Sequence, residues 1–298
     1  MESSASSVKK YCVLCQNISA CELLHRAKKT ISTNREGEFS PVAHDFGIYS
    51  DILKCLECGH IFADSNPKEN IVEKYEMAED PGSYFKLWEY RETNCDRAIK
   101  KALRFCPDKR PLRVLDIGAG GGIVVRHLQK LGHQVIGVEP SRALVKMAME
   151  KMGVSLYSGT LEQFLKNGDS FDLVCMLEVI EHLQSPEKEI ERIGSLLKPG
   201  GILLITTPNI KSFSAKLLGT KWWSFRRMHL HYFSPNTLKE LARKFCFHMV
   251  YKGIFMKTFP LSYYLQNLGL PCSRIPQINF TASLGDMTVI FKKTKQQQ

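Results

Sequence analysis

No stretch of the 298-residue chain approaches the roughly twenty consecutive apolar residues that a membrane-spanning helix needs. No secretory leader is expected either, because Met1 to Lys10 is polar and has no apolar centre. Residues 1–8 are small and polar, the composition of a segment without fixed structure. A cytoplasmic protein with no transmembrane segment is the expectation. A basic block is missing too. The net charge is +11, yet lysine and arginine cluster only in short pairs such as Lys9-Lys10, Lys28-Lys29, Arg226-Arg227 and Lys292-Lys293. Charge so dispersed reads as a solvated surface, which permits nucleic acid as a partner without favouring it.

Cysteine, by contrast, is plentiful. Ten of them, where no leader is expected, point to free thiols and metal rather than disulfides. Cys12-Val-Leu-Cys15 and Cys55-Leu-Glu-Cys58 are two Cys-x-x-Cys knuckles, each placing two thiolates on one tight turn, and Gly59 suits the second turn. Together, Cys12, Cys15, Cys55 and Cys58 supply the four soft ligands of a closed tetrahedral zinc site. With no open coordination position the zinc is structural, since about 60 residues of this polarity cannot sustain a fold on core burial. Cys21 and His60 are spare donors at poorer spacing. The expected division is a zinc-ribbon-like module over 1–66, a largely helical connecting segment over 67–110, and one larger domain over 111–298.

That larger domain is organised around a glycine turn. Leu112 to Ile117 reads as a buried parallel strand, and Gly118, Gly120, Gly121 and Gly122 then let the backbone approach a ligand beside the first turn of a helix, Ile123 to Leu131. A second strand, Gln134 to Val138, ends in Glu139-Pro140, where an acid can accept both hydroxyls of a ribose. The alternation continues through strand Val154 to Tyr157, helix Leu161 to Lys166, strand Phe171 to Met176 and a helix from Ser185-Pro186 to Leu197. Lys198-Pro199-Gly200-Gly201 stops that helix before strand Ile202 to Thr206. Ser234 and Pro235 start a later helix, and Met249 to Met256 with Met287 to Phe291 form a closing antiparallel pair. This is an α/β fold, a doubly wound parallel sheet whose ligands sit at the carboxyl ends of its strands.

Five ordered motifs, VLDIGAGGG (114–122), VIGVEP (135–140), FDLVCMLEVIEHL (171–183), LLKPGGILLITTPN (196–209) and HYFSPNTLKELARKF (231–245), make the chain resemble the class I S-adenosylmethionine-dependent methyltransferases. A dinucleotide dehydrogenase is disfavoured, because Asp116 inside the strand and the Lys-Pro-Gly-Gly turn have no place in its pattern. The resemblance implies a seven-stranded Rossmann-like methyltransferase sheet and extends to the amino-terminal zinc ribbon, which a subset of the family carries. It implies that S-adenosylmethionine is held by Asp116, Gly118, Ala119, Gly120, Glu139, Pro140, Leu161 and Glu178, with Thr160 and Leu161 flanking the adenine edge. Tyr75, Tyr84 and Arg91 become lid candidates.

Glu178, Glu181 and His182 stand at i, i+3 and i+4, which on one helical turn would share a face. On one reading His182 is a general base that removes a hydroxyl proton. On the other, the three bind magnesium with a later histidine, His231 or His229, and acidify the hydroxyl; the spacing is similar to that in methyltransferases of quinone biosynthesis and of small-RNA 3′ ends. The expected catalytic set is therefore His182, Glu178, Glu181 and His231. The segment Ile210 to Leu230, with Trp222, Trp223, Arg226 and Arg227, is expected to hang over the site and bind the acceptor. Phe259 to Thr281, with Phe259, Tyr263, Tyr264 and Leu265, is expected as a loop whose apolar residues pack beneath it, with an apolar acceptor pocket or contact with a membrane surface as the alternatives. Methyl transfer to a small-molecule acceptor, a hydroxyl of a sugar or other metabolite, is the favoured function. An RNA methyltransferase and a non-catalytic zinc-ribbon binding protein are the rivals.

Overall fold

Runs of branched apolar residues set out the centre of the molecule. In a computed structural model, which describes residues 7–27, 49–64, 75, 82–108, 111–165, 170–267 and 278–294, these runs are strands buried on both faces. The expected polar loop over 30–41, the start of the connecting segment and the helix end at Lys166 lie outside the described residues.

In chain order the elements begin with four short strands, β1 (Val8–Cys12), β2 (Asn17–His25), β3 (Ile52–Cys55) and β4 (Ile61–Ala63), then helices α1 (Gly82–Phe85) and α2 (Trp88–Leu103). The alternating part follows as β5 (Arg113–Ile117), α3 (Ile123–Lys130), β6 (Gln134–Glu139), α4 (Arg142–Met147), β7 (Tyr157–Ser158), α5 (Leu161–Phe164), β8 (Phe171–Leu177), α6 (Pro186–Leu196) and β9 (Leu197–Pro208). The chain then adds α7 (Phe213–Leu218), β10 (His231–Tyr232), α8 (Pro235–Arg243), β11 (Phe247–Ile254), β12 (Lys257–Pro260), α9 (Leu261–Asn267), β13 (Asn279–Ala282) and β14 (Asp286–Lys293).

The seven-stranded sheet has the order β11-β14-β9-β8-β5-β6-β7. β9, β8, β5, β6 and β7 pair in parallel, and β14 closes the sheet antiparallel to β9 and to β11. Because side chains alternate along a strand, neighbours in sequence feed opposite cores. Leu115, Val174 and Leu203 meet Ile190 and Ile193 of α6 and Leu238 and Leu241 of α8. Val114, Leu173 and Leu204 meet Ala98, Ile99 and Ala102 of α2 with Val124 and Leu128 of α3. The strand order reverses at β5, with β6 on one side and β8 on the other, so the cleft at their carboxyl ends is the place for a ligand.

Several boundaries depart from expectation for local reasons. The third strand is only Tyr157–Ser158, since β7 is an edge that meets β6 at two positions, while Val154 turns inward to pack on Ala119 and Val125. The Lys198–Gly201 turn does not end pairing: Phe171 faces Leu197 and Leu173 faces Ile202, so the four residues bulge out of a strand that continues, with Gly200 at φ 80°. His231 and Tyr232 form a strand, and the expected 259–281 loop contains a hairpin of β12 and β13 followed through α9. The helix start is as the residues foretell. Ser234 Oγ accepts the Thr237 amide at 3.2 Å with Pro235 in the first turn.

Leu115 is 0% exposed between two parallel neighbours whereas Leu131 is 50% exposed. Leu115→Ala should cost about 2–5 kcal/mol of stability in urea unfolding. Leu131→Ala should stay within about 0.5 kcal/mol of the parent; equal losses would contradict the two-sided burial of β5.

Candidate active site

The turn after β5 is built so that backbone, not side chain, faces the cleft. Gly118 and Gly120 adopt φ of 67° and 52°. A Cβ on Gly118 would stand 2.5 Å from Val179 Cγ2, and one on Gly120 2.6 Å from the Tyr84 hydroxyl. The amides of Gly118 and Ala119 donate to the Val138 carbonyl at 2.9 and 3.0 Å. Beside them the Glu139 carboxylate is 1% exposed and accepts the Gly120 amide at 2.7 Å and the Ser141 amide at 2.8 Å, one on each oxygen. Tyr75 reaches the same carboxylate; burial, then the charge of Glu139, push its phenol well above the ordinary range.

Asp116, 2% exposed, has an Oδ2 that meets no hydrogen-bond donor among the described residues. Burial, then the neighbouring Glu139, raise its carboxyl pKa well above normal. An acid buried in this state needs a partner from whatever fills the cleft. Asp116, Gly118, Ala119, Gly120, Glu139, Pro140, Leu161 and Glu178 all line one cavity of about 360 Å³. That volume lies in the range of small-molecule sites. A glycine cradle closed to side chains, an acid short of a donor and a carboxylate anchored by amides fit S-adenosylmethionine.

The same cavity is lined by a second set of ionisable side chains, Glu178, Lys257 and Asp286. Glu178, directly after β8, takes φ 59°, a left-handed conformation unusual for glutamate, and its amide donates to Thr206 O at 2.9 Å. Only Ile180–His182 makes a helical turn, a 3-10 one. The helical face expected for Glu178, Glu181 and His182 is thus not formed. Glu178 swings instead to Lys257 Nζ at 2.5 Å, and the same nitrogen lies 2.8 Å from Asp286. Burial opposes the Lys257 charge, but Asp286 and then Glu178 outweigh it and hold the ammonium protonated. Burial lifts Asp286 to about 6, with Lys257 pulling it down and Glu178 pushing it up. Glu181, 1% exposed, accepts the Thr207 hydroxyl at 2.9 Å, and burial followed by Glu178 raises its pKa well above normal.

His182 and His229 face each other, ring centroids 4.7 Å apart. His182 Nδ1 lies 3.0 Å from Met228 O and His229 Nδ1 2.8 Å from Ser224 O. A carbonyl only accepts, so both Nδ1 atoms carry the proton and both Nε2 atoms present a lone pair. Burial is the main cause that lowers both imidazoles, His229 well below the usual value, and keeps them neutral. Ligand atoms of Glu181, His182 and His229 lie within 4.8 Å of one another. His231, expected in this set, is elsewhere: its Nδ1 is 3.2 Å from His60 Nε2, because β10 draws it against β4, and it does not line the cavity. His229 takes the inward position.

Of the segment over 210–230, Trp223 and Arg226 line the cavity, while Trp222 is buried behind it and Arg227 is not in the lining. Trp223 Nε1 donates to Leu284 O at 2.8 Å and Arg226 Nε to Trp223 O at 3.0 Å. Tyr75, Tyr84 and Arg91 line the same space, with the Arg91 guanidinium 4.3 Å above the Tyr84 ring. Phe259 and Tyr263 contribute aromatic wall, whereas Tyr264 turns away to donate to Lys257 O at 2.7 Å. Lys257, Asp286, Asn94 and Phe255 were not foreseen. No spacing marks a single lysine in a chain this basic.

The four knuckle cysteines also converge, their sulfurs mutually within 4.8 Å; Cys12 Sγ is 3.5 Å from Cys58 and Cys15 Sγ 3.7 Å from Cys55. Tetrahedral zinc with bonds near 2.3 Å separates its sulfurs by about 3.8 Å, so the geometry fits zinc. Each knuckle closes the same way: Gln16 N donates to Cys12 O and Gly59 N to Cys55 O, at φ of 57° and 72°. Cys21, whose thiol points to Ser19 O, and His60 lie outside the set. No described helix is long and apolar enough to cross a membrane.

The histidine pair sets a pH dependence. Below the unfolded pKa near 6.5 the unfolded chain binds protons that half-buried His182 and buried His229 refuse. Stability should therefore be full above pH 6.5 and fall on acidification by up to about 1.4 kcal/mol per pH unit per imidazole. Urea midpoints at pH 7.5 and 5.5 measure it, and a midpoint that does not drop would mean that the imidazoles are charged in the fold.

Comparison with known proteins agrees with this architecture. The ubiquinone biosynthesis O-methyltransferase of Cereibacter sphaeroides is 33% identical over 161 residues, covering 50% of this chain and 64% of that protein. The protein of the same name in Bradyrhizobium diazoefficiens is 35% identical over 127 residues, covering 40% and 50%. The chain thus spans less than two thirds of the length of these relatives. A solved Thermotoga maritima SAM-dependent methyltransferase, 24% identical, shares the fold with a TM-score of 0.50 over 75% of this chain and 96% of that one. The profile of the methyltransferase domain family matches residues 87–252, more than half of the chain, and with the sheet and glycine turn that those residues build the chain belongs to that family of S-adenosylmethionine-dependent enzymes.

Proposed function

We propose that the protein transfers a methyl group from S-adenosylmethionine to a hydroxyl of a small molecule. The observation that carries this reading is one cavity lined both by the glycine cradle with Asp116 and Glu139 and by the neutral pair His182 and His229. In this reading Gly118, Ala119, Gly120, Pro140 and Leu161 shape the cofactor half, and Glu139 accepts the ribose hydroxyls. The bound cofactor supplies an already activated methyl on a sulfonium. The chain's part is to align the acceptor, exclude water and take the hydroxyl proton. His182 or His229 receives that proton at Nε2, since Nδ1 of each is committed to a carbonyl. Lys257, fixed between Glu178 and Asp286, keeps a positive charge beside the acceptor.

Oxygen as the acceptor atom is supported by the names of the ubiquinone biosynthesis O-methyltransferases. Trp223, Phe255, Phe259 and Tyr263 offer flat apolar walls, suited to an aromatic ring or to the apolar face of a sugar or other metabolite. A second reading keeps the hydroxyl chemistry but gives Glu181, His182 and His229 to a magnesium ion; their mutual approach within 4.8 Å favours it. The raised pKa of Glu181 and the fixed Lys257 charge oppose it. Domain limits of 1–66, 67–110 and 111–298 belong to the proposal, with β10 joined to the first module's sheet.

Calorimetric titration with S-adenosylhomocysteine, with and without magnesium, tests the proposal. Micromolar binding is expected, unchanged by magnesium; absence of binding in both conditions would overturn it, and binding only with magnesium would select the second reading. Glu139→Ala should weaken binding by about 1–3 kcal/mol, the loss of a charged hydrogen-bond acceptor; an unaltered affinity would remove Glu139 from the cofactor site.

A further inference from the structure

Leu230 links the cysteine module to the histidine pair. Its amide donates to the Glu181 carbonyl at 2.8 Å, on the turn that carries His182, and its carbonyl accepts the Ala63 amide at 2.9 Å, at the end of β4. From the next residue β10 runs antiparallel to β4, His231 opposite Phe62 and Tyr232 opposite Ile61. The four strands of the module and β10 therefore make one five-stranded sheet, β1-β2-β3-β4-β10. Side chains tighten the seam: the His60 and His231 rings stack at 5.3 Å, and Phe233 packs on both.

The other side of the module carries the acceptor segment. Tyr49, Ile52, Ile61 and Ala63 share a core with Trp222, Phe225 and Tyr232. Trp222 and Phe225 are 0% and 2% exposed, whereas their neighbours Trp223, Arg226 and His229 line the cavity. The carbonyls that orient the two imidazoles, Ser224 and Met228, belong to this anchored segment. The bonds that shape the glycine turn run elsewhere, to Val138, Glu139 and the start of α4.

Resting on the two-halved cavity just proposed, we infer that the cysteine module is the platform of the acceptor half. Zinc at Cys12, Cys15, Cys55 and Cys58 sets the positions of His182, His229, Trp223 and Arg226 and leaves the cofactor half alone. The physical reason is size. β4 has three residues and β10 two, and strands that short hold their pairing only while the sheet behind them is held. The knuckles hold it: Cys55 N donates to His60 O at 2.8 Å, so the second knuckle leads straight into β4. A small module of this kind depends on its metal for order. His60 is then a positioning residue that acts through His231.

Hydrogen exchange read by mass spectrometry on the full chain, zinc-loaded and after chelation under reducing conditions, tests the inference, with zinc counted by elemental analysis. Peptides over 222–233 and 178–183 should exchange roughly tenfold faster once zinc leaves, while peptides over 114–125 and 135–145 keep their rates. The S-adenosylhomocysteine affinity of both forms should agree within about twofold, as a local opening remote from that half requires. Unchanged exchange over 222–233 while β1 to β4 opens would overturn the inference, and so would equal loss of protection over 114–125. Failure of both forms to bind S-adenosylhomocysteine would refute the methyltransferase proposal alone, because the exchange pattern still decides the coupling. His60→Ala should retain zinc yet speed exchange over 229–233, and His60→Gln, whose amide reaches the place of Nε2, should restore it. Identical behaviour of the two variants would exclude His60 as the positioning residue.

Discussion

Two backbone amides, of Gly120 and Ser141, converge on the buried carboxylate of Glu139, and three pieces of chain are pinned by that contact. The turn after β5, the end of β6 and the start of α4 meet there, so the carboxylate does for the cleft what a cap does for one helix. A charge buried this deeply is tolerated because donors surround it; the same amides that pay for its burial hold the glycine turn open toward the cavity. Glycine is required in that turn for space as well as conformation, since Val179 and Tyr84 already occupy the places where side chains would project.

Elsewhere in the cavity the electrostatic arrangement is of another kind. Lys257, Glu178 and Asp286 form a partly buried set with one positive and two acidic groups, and it draws three distant parts of the chain together: the end of β8, the start of β12 and the start of β14. The left-handed backbone of Glu178 is the local strain accepted in return, of the kind found where a site is over-determined by its surroundings. The imidazoles beside it are neutral for a separate reason, burial with carbonyl partners, so fixed charge and proton-accepting capacity stand side by side without cancelling.

The amino-terminal module packs directly on the larger domain. Here its core is continuous with that of the larger domain: Cys12, Cys55 and Phe62 fall in the same apolar cluster as Ile180, Phe233 and Leu238. Lys244 donates to Leu14 O across the same junction. Sheet, core and cysteine turns therefore meet close to Glu181 and His182, which makes the module part of the architecture of the cleft.

The sequence by itself determined the parallel strands, the glycine turn, Glu139 and the four cysteines. Each of these is a local pattern: an apolar run, a backbone requirement for glycine, an acid at a strand end, a repeated knuckle spacing. It also determined the cap at Ser234, which depends on a residue three positions on. Only the tertiary structure decided which histidine faces the cavity, because His229 and His231 differ by two residues and strand pairing with β4 alone turns one inward and the other toward His60. It alone decided that Glu178 belongs with Lys257 and Asp286 rather than with Glu181 and His182, since that choice follows from contacts 79 residues away in the chain. Long-range pairing leaves no periodic trace, and so the chemistry on the acceptor side was the part that the linear pattern could not specify.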